Sequence, residues 1–155
     1  MRHLCRQCHD RWGGIGLWVH TAIHAPPLAP AGHVGARDLD RTLATNVRAT
    51  AALIPLIEPL LRAGMSSSDA RTATAVFLDD PVAGQKFFGL YGASKAAQIA
   101  LARSWQAECE RVGPRVLIET PAPMPTSLRA RFFPGEDRTA LRPCAAEAAR
   151  IAARL

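Results

Sequence analysis

No uninterrupted apolar stretch in this sequence approaches the roughly 20 residues that a membrane-spanning helix needs. The best candidate, AALIPLIEPLL (51–61), is interrupted by Pro55, Glu58 and Pro59, so no membrane partner is expected. Lysine is nearly missing: of 19 basic residues all but Lys86 and Lys95 are arginine. The arginines are scattered, so the net charge of +6 forms no binding stripe and no nucleic-acid partner is expected. RARFF (129–133) mixes stacking and basic side chains, yet no nucleic-acid module surrounds it. The N-terminal MRHLCRQCHDRWGG lacks the apolar run and small-residue cleavage site of an export signal, which points to the cytoplasm.

Cysteine is sparse and irregularly spaced. Cys5, Cys8, Cys109 and Cys144 make no disulfide framework and are expected to be free thiols. CRQCH (5–9) has the C-x-x-C-H form of a c-type haem attachment site with His9 as the iron ligand, but attachment accompanies export. Adjacent Cys8 and His9 suit a tetrahedral zinc poorly, so no metal site is expected. No internal repeat or low-complexity segment is visible. With 155 residues, 48% of them hydrophobic, the chain can bury one core and reads as a single domain.

What is present is an α/β alternation. Short apolar runs at 15–22 (IGLWVHTA), 73–78 (ATAVFL) and 115–120 (RVLIET) read as buried parallel strands. Between the first two, a proline-rich loop (24–35) precedes a helix ending near Gly64. Its core stripe is expected along Leu39, Leu43, Val47, Thr50, Ile54 and Ile57. MSSSDART (65–72) is expected to be a loop. A second long helix runs from Tyr91 to about Arg111, stopped by Gly113 and Pro114. A short helix through SLRARFF and a final helix from Cys144 follow. Residues 1–12 are expected to be disordered or a lone helix.

Strands joined by helix-length crossovers form a parallel sheet, and ligands bind beyond the carboxyl ends of such strands. The exits here are HTAIH, DDPVAGQ and PAPMPT. His20 and His24 at the first exit read as pocket-lining or solvated, and Asp79 and Asp80 at the second read as a solvated turn before Pro81. Tyr91 and Lys95 share one helix face at i and i+4. An ammonium beside a phenol lowers its pKa, which would make Tyr91 a usable proton donor and acceptor.

Tyr91-Gly92-Ala93-Ser94-Lys95 matches the Y-x-x-x-K signature of the short-chain dehydrogenase/reductase family, and LATNVRAT with Asn46 resembles that family's asparagine-bearing helix. The resemblance covers about Trp12 to Leu155 and implies a partial doubly wound, Rossmann-like parallel sheet. It implies NAD or NADP as cofactor, a small carbonyl or alcohol as substrate, and pairing with another copy or a related subunit. It assigns Tyr91 as acid/base, Lys95 to the ribose, Asn46 to a proton-relay water and Thr126 to the nicotinamide carboxamide. Thr21, Ala22 and Pro121 fall in its other cofactor-binding positions.

Four departures stand out. The family's glycine-rich phosphate loop has no counterpart, since GGIG (13–16) leads into a strand, and the first βαβαβ half is expected to be absent. The family's serine falls at LDDP, with Asp79 or Asp80 in its place. Asp80 is the candidate at that catalytic position, and an ionised carboxylate there would oppose a developing oxyanion and raise the pKa of Tyr91. The asparagine-alanine-glycine after the first strand reads Thr21-Ala22-Ile23, and the later proline-glycine reads Pro121-Ala122. Impaired catalysis, or a non-catalytic remnant that pairs with a relative, is the expectation these changes raise.

Overall fold

In a computed structural model of the chain, which describes residues 2–65 and 73–155, helix α1 (Arg2–Trp12) precedes strand β1 (Leu17–His20). A helical rod follows: α2 (Ala36–Thr42) passes through a π-helical stretch (Leu43–Arg48) into α3 (Ala49–Ala63). Then come β2 (Thr74–Leu78), α4 (Gly89–Cys109), β3 (Arg115–Glu119), α5 (Ser127–Phe132) and α6 (Cys144–Ala152). The three strands pair in parallel in the order β1-β2-β3, with Val19 opposite Val76 and Val76 opposite Leu117. The first strand is shorter than its apolar run: only Leu17–His20 is strand, and Thr21 onward belongs to the strand exit. Most of the loop expected at 65–72 lies outside the described residues.

Both crossovers carry their helix over the same face, as right-handed connections between parallel strands require. Alternation along the strands then decides the core. Ala75 and Phe77 of β2 and Val116 of β3 point toward Ile57, Leu60 and Leu61 of α3 and Ile99, Ala102 and Trp105 of α4. Phe77 meets Trp105 and Trp18 edge-on, with ring centroids 6.2 and 5.4 Å apart. Cys5 and Cys8 of α1 are partly buried against this core, and His9 hydrogen-bonds the Gly13 carbonyl at 3.0 Å. All four cysteines are free. Beyond the core's reach, Leu17 and Val19 on edge strand β1 are exposed.

The stripe expected along the first long helix holds in its second half, where Thr50 and Ile57 are buried and Ile54 packs on the core, and fails in its first. Leu39 and Leu43 are exposed, while Thr42, Asn46 and Thr50 are fully buried. The helix turns its polar residues inward here because α4 presents polar partners, Ser94 and Gln98, along the same seam. Further on, Ile57, Leu60 and Leu61 restore an apolar contact. Among the described residues no helix is long and apolar enough to cross a membrane.

The turn into β1 packs on the end of α3, where Ile15 donates its N–H to the Leu60 carbonyl at 3.0 Å. Gly14 and Gly64 meet backbone to backbone: a Cβ on Gly64 would collide with the Ile15 carbonyl, and one on Gly14 with the backbone of Ala63 and Gly64. Gly64→Ala is therefore expected to lower stability by about 1–3 kcal/mol. Gly16→Ala, which meets nothing within 4 Å, serves as control in the same denaturant titration. Equal midpoints for the two variants would contradict this packing.

Candidate active site

The three strand ends open onto one cavity of about 290 Å³. His20, Thr21, Ala22 and Ile23 line it from the first exit, Leu78 to Val82 from the second, and Thr120 to Met124 from the third. Tyr91 and Lys95 of α4 form the floor, and Thr126, Leu128, Arg129, Phe132 and Phe133 close it from α5 and its flanks. Of the residues singled out at the strand exits and on α4, Thr21, Ala22, His20, Asp79, Asp80, Tyr91, Lys95, Pro121 and Thr126 lie on this cavity, while His24 and Asn46 do not.

Glycine explains how α4 comes so close to the second exit. A Cβ on Gly92 would sit 2.9 Å from Cα of Ala83, so only glycine lets the helix lie against that backbone. Tyr91 is consequently pressed beside Asp80, and its hydroxyl donates to Asp80 Oδ2 at 3.1 Å. Its ring is buried against Phe132 and Phe88, with centroids 4.8 and 6.4 Å away. Burial, and after it the charge and hydrogen bond of Asp80 and the charge of Asp79, push the Tyr91 pKa well above the ordinary tyrosine value. Of the two opposing effects the sequence offered, lowering by Lys95 and raising by an aspartate at the serine position, the raising one prevails, because desolvation and two carboxylates act on the phenol. Nor are Asp79 and Asp80 a merely solvated turn: both line the cavity, and Asp79 accepts the Asp80 N–H at 2.8 Å.

Lys95 is buried, and its Nζ donates to Gln98 Oε1 at 2.8 Å. Burial pulls its pKa down, while Asp79 and Asp80 pull the other way. Gln98 was not singled out in the sequence. Its signal was there: three residues after Lys95, it falls on the same helix face. Its other end donates to the Asn46 carbonyl at 3.2 Å and to Thr50 Oγ1 at 3.1 Å. Thr50 in turn meets His20 Nε2 at 3.0 Å, so a continuous polar seam runs from Lys95 back to the first strand exit. Burial, with a smaller contribution from Lys95, lowers the His20 pKa.

Asn46 neither caps its helix nor bonds within it through its side chain. Its Oδ1 accepts the His24 N–H at 2.6 Å, and its Nδ2 donates to the His24 carbonyl and Ser94 Oγ, both at 2.9 Å. It pins the loop after β1 to α4. The π-helical stretch around it lets the Asn46 carbonyl accept from Thr50 Oγ1 and Gln98. Thr126 takes the N-cap of α5, its hydroxyl oxygen accepting the Arg129 N–H at 3.2 Å, while still facing the cavity. Arg129 is held by Glu136 through two hydrogen bonds of 2.7 and 2.6 Å. No cluster of three or more His, Cys, Asp or Glu residues that could hold a metal ion occurs among the described residues.

The family model described as enoyl-(acyl carrier protein) reductase matches residues 1–150. In structure the chain is similar to a short-chain dehydrogenase from Salmonella enterica serovar Typhi, with a TM-score of 0.80, 28% identity and coverage of 94% of this chain and 60% of that one. It is similar to one from Pseudomonas syringae at a TM-score of 0.80 and 27% identity, covering 92% and 56%. Another, from Shigella flexneri and complexed with NADP, has a TM-score of 0.79 and 25% identity, with coverage of 92% and 57%. The chain spans 56–60% of the length of these three structures. No curated protein matches it. From its parallel sheet, its strand-end cavity and the model that matches nearly its whole length, the chain belongs to the short-chain dehydrogenase/reductase family.

Proposed function

We propose that the cavity is the reaction site of an NAD(P)-dependent oxidoreductase acting on a small molecule, in the first instance a carbonyl or alcohol, and that Asp80 holds this reaction to a low rate. The observation that carries the reading is the pairing of Tyr91 and Lys95 one helical turn apart on the floor of a cavity at the strand ends. The NADP complex of the Shigella flexneri structure supports the cofactor class.

The residues present fit the nicotinamide end of such a cofactor. Gln98 takes one of the three ammonium protons of Lys95, leaving donors for ribose hydroxyls. The Thr126 hydroxyl spends its oxygen on the Arg129 N–H and keeps its proton for a carboxamide oxygen, with Thr21, Ala22 and Pro121 along the same wall. Among the described residues no glycine-rich turn joins a strand to a helix, so the phosphates find no counterpart loop. A bound nicotinamide supplies the hydride. The chain's own work is to place a hydroxyl proton at the substrate oxygen, and that falls to Tyr91. Asn46 acts here as a positioning residue, since its side chain is spent on His24 and Ser94.

Asp80 works against that chemistry. It accepts the Tyr91 hydroxyl's hydrogen bond in place of a substrate oxygen and presents negative charge where a carbonyl would develop more. The same contact favours a second reading, a non-catalytic chain that pairs with another copy or a related subunit. Exposed Leu39 and Leu43 on the outer face of the first long helix support such pairing.

Asp80→Ser is expected to raise carbonyl-dependent NAD(P)H oxidation by about 100-fold, the size of one donor to an oxyanion. Absence of any gain, followed through NAD(P)H absorbance, would leave the second reading standing. Gln98→Leu removes the acceptor of a buried ammonium and is expected to cost about 1–3 kcal/mol of stability and to lower the Lys95 pKa further. Gln98→Glu is expected to raise it, as read from the Lys95 side-chain resonance against pH. A Lys95 titration indifferent to both changes would remove Gln98 from the site.

A further inference from the structure

The walls of the cavity are unequal in what they offer a ligand. Asp79 and Asp80 face it from the second strand exit, and ionised carboxylates only accept hydrogen bonds. The single phenolic proton on the floor is already committed to Asp80 at 3.1 Å. Of the cations on the lining, Arg129 is paired with Glu136 and stacked on Phe133, and Lys95 gives one of its protons to Gln98. Arg103 reaches Asp79 Oδ2 only at 4.0 Å, from a largely exposed position. Among the described residues no ion pair forms at Asp80, whose carboxylate accepts from the Tyr91 hydroxyl and turns its remaining lone pairs to the cavity.

Aromatic rings line the same cavity, and one of them, Phe133, already carries the Arg129 guanidinium 3.9 Å over its centroid. Phe88, Tyr91 and Phe132 interlock edge to face, with Phe88 and Phe132 centroids 5.1 Å apart, and Phe133 lies 6.0 Å from Phe88. Ring faces attract cations, and a carboxylate set against an aromatic wall is the combination that recognises a protonated nitrogen. A carbonyl or carboxylate ligand would instead bring lone pairs against lone pairs.

We propose that this cavity selects ligands bearing a protonated nitrogen, an ammonium or iminium group on a small apolar or aromatic body, with the nitrogen on Asp80 and Asp79 and the body against Phe88 and Phe132. The proposal rests on reading the cavity as the substrate side of the site and narrows its substrate class. It is tested by binding alone, so it can fail while the oxidoreductase reading stands, and the reverse also holds.

The experiment is titration calorimetry of the full chain with three probes of matched shape: benzylammonium, benzyl alcohol and benzoate. Benzylammonium is expected to bind about tenfold or more tighter than benzyl alcohol, with benzoate weakest. In Asp80→Asn, a near-isosteric change whose folding is checked by its unfolding temperature, the preference for the cation is expected to fall to about threefold or less. Benzyl alcohol or benzoate binding as tightly as benzylammonium would overturn the proposal, as would failure of all three to bind. So would a cation preference that survives Asp79→Asn and Asp80→Asn together. The comparison among probes needs no variant, so loss of folding in a mutant leaves the test intact.

Discussion

The hydroxyl of Tyr91 resting on Asp80 is the contact on which the chemistry proposed for this chain turns. It exists because Gly92 allows α4 to lie against the backbone at Ala83, which brings the helix that carries the family signature onto the exit of β2. Once the phenol is buried there, its proton is stabilised twice, by loss of water and by a carboxylate that both accepts from it and repels its anion. Lys95, one turn along, supplies a positive charge, but burial lowers its own pKa and Gln98 fixes its direction. Carbonyl chemistry and cation recognition therefore pull in opposite directions at one residue.

Behind the cavity the fold is held by two unlike seams. The apolar one, from Leu61 and Phe77 to Trp105, is what parallel strands under two helices produce. The polar one, His20, Thr50, Gln98 and Asn46, joins the first long helix to α4 where hydrophobic packing was expected. Buried polar groups of this kind contribute only when their partners are present. The seam thus couples the position of Lys95 to that of the loop after β1 through Gln98, Thr50 and Asn46, side chains that do not themselves titrate.

Much of this was legible in the sequence. Three apolar runs, two long helices and their order gave the parallel sheet, because strand and helix periods differ and Gly113 and Pro114 mark a stop. Tyr91, Lys95, Thr21, Ala22, Pro121 and Thr126 were gathered in advance by strand-exit logic and resemblance, and they share one cavity. The inward turn of Thr42 and Asn46 was not legible, since a periodicity search rewards apolar residues, and Leu39 and Leu43 drew the first half of the stripe to the wrong face. Gln98 escaped for a related reason: a glutamine in a helix is ordinarily a surface residue. The direction of the Tyr91 shift required knowing which neighbour lay closer, and only the approach of α4 to the second strand exit decides that.

Tyr91 is the chain's only tyrosine, so phenolate absorbance followed against pH reads this one group. In the folded protein it is expected to titrate well above the ordinary tyrosine value of 10.0, and to move down in Asp80→Asn. Because the folded pKa is the raised one, the associated stability is complete below pH 10.0 and is lost as pH climbs toward the folded value. Absorbance that rises at or below pH 10.0 while the chain is still folded, or a midpoint that ignores Asp80→Asn, would contradict the control of Tyr91 by Asp80.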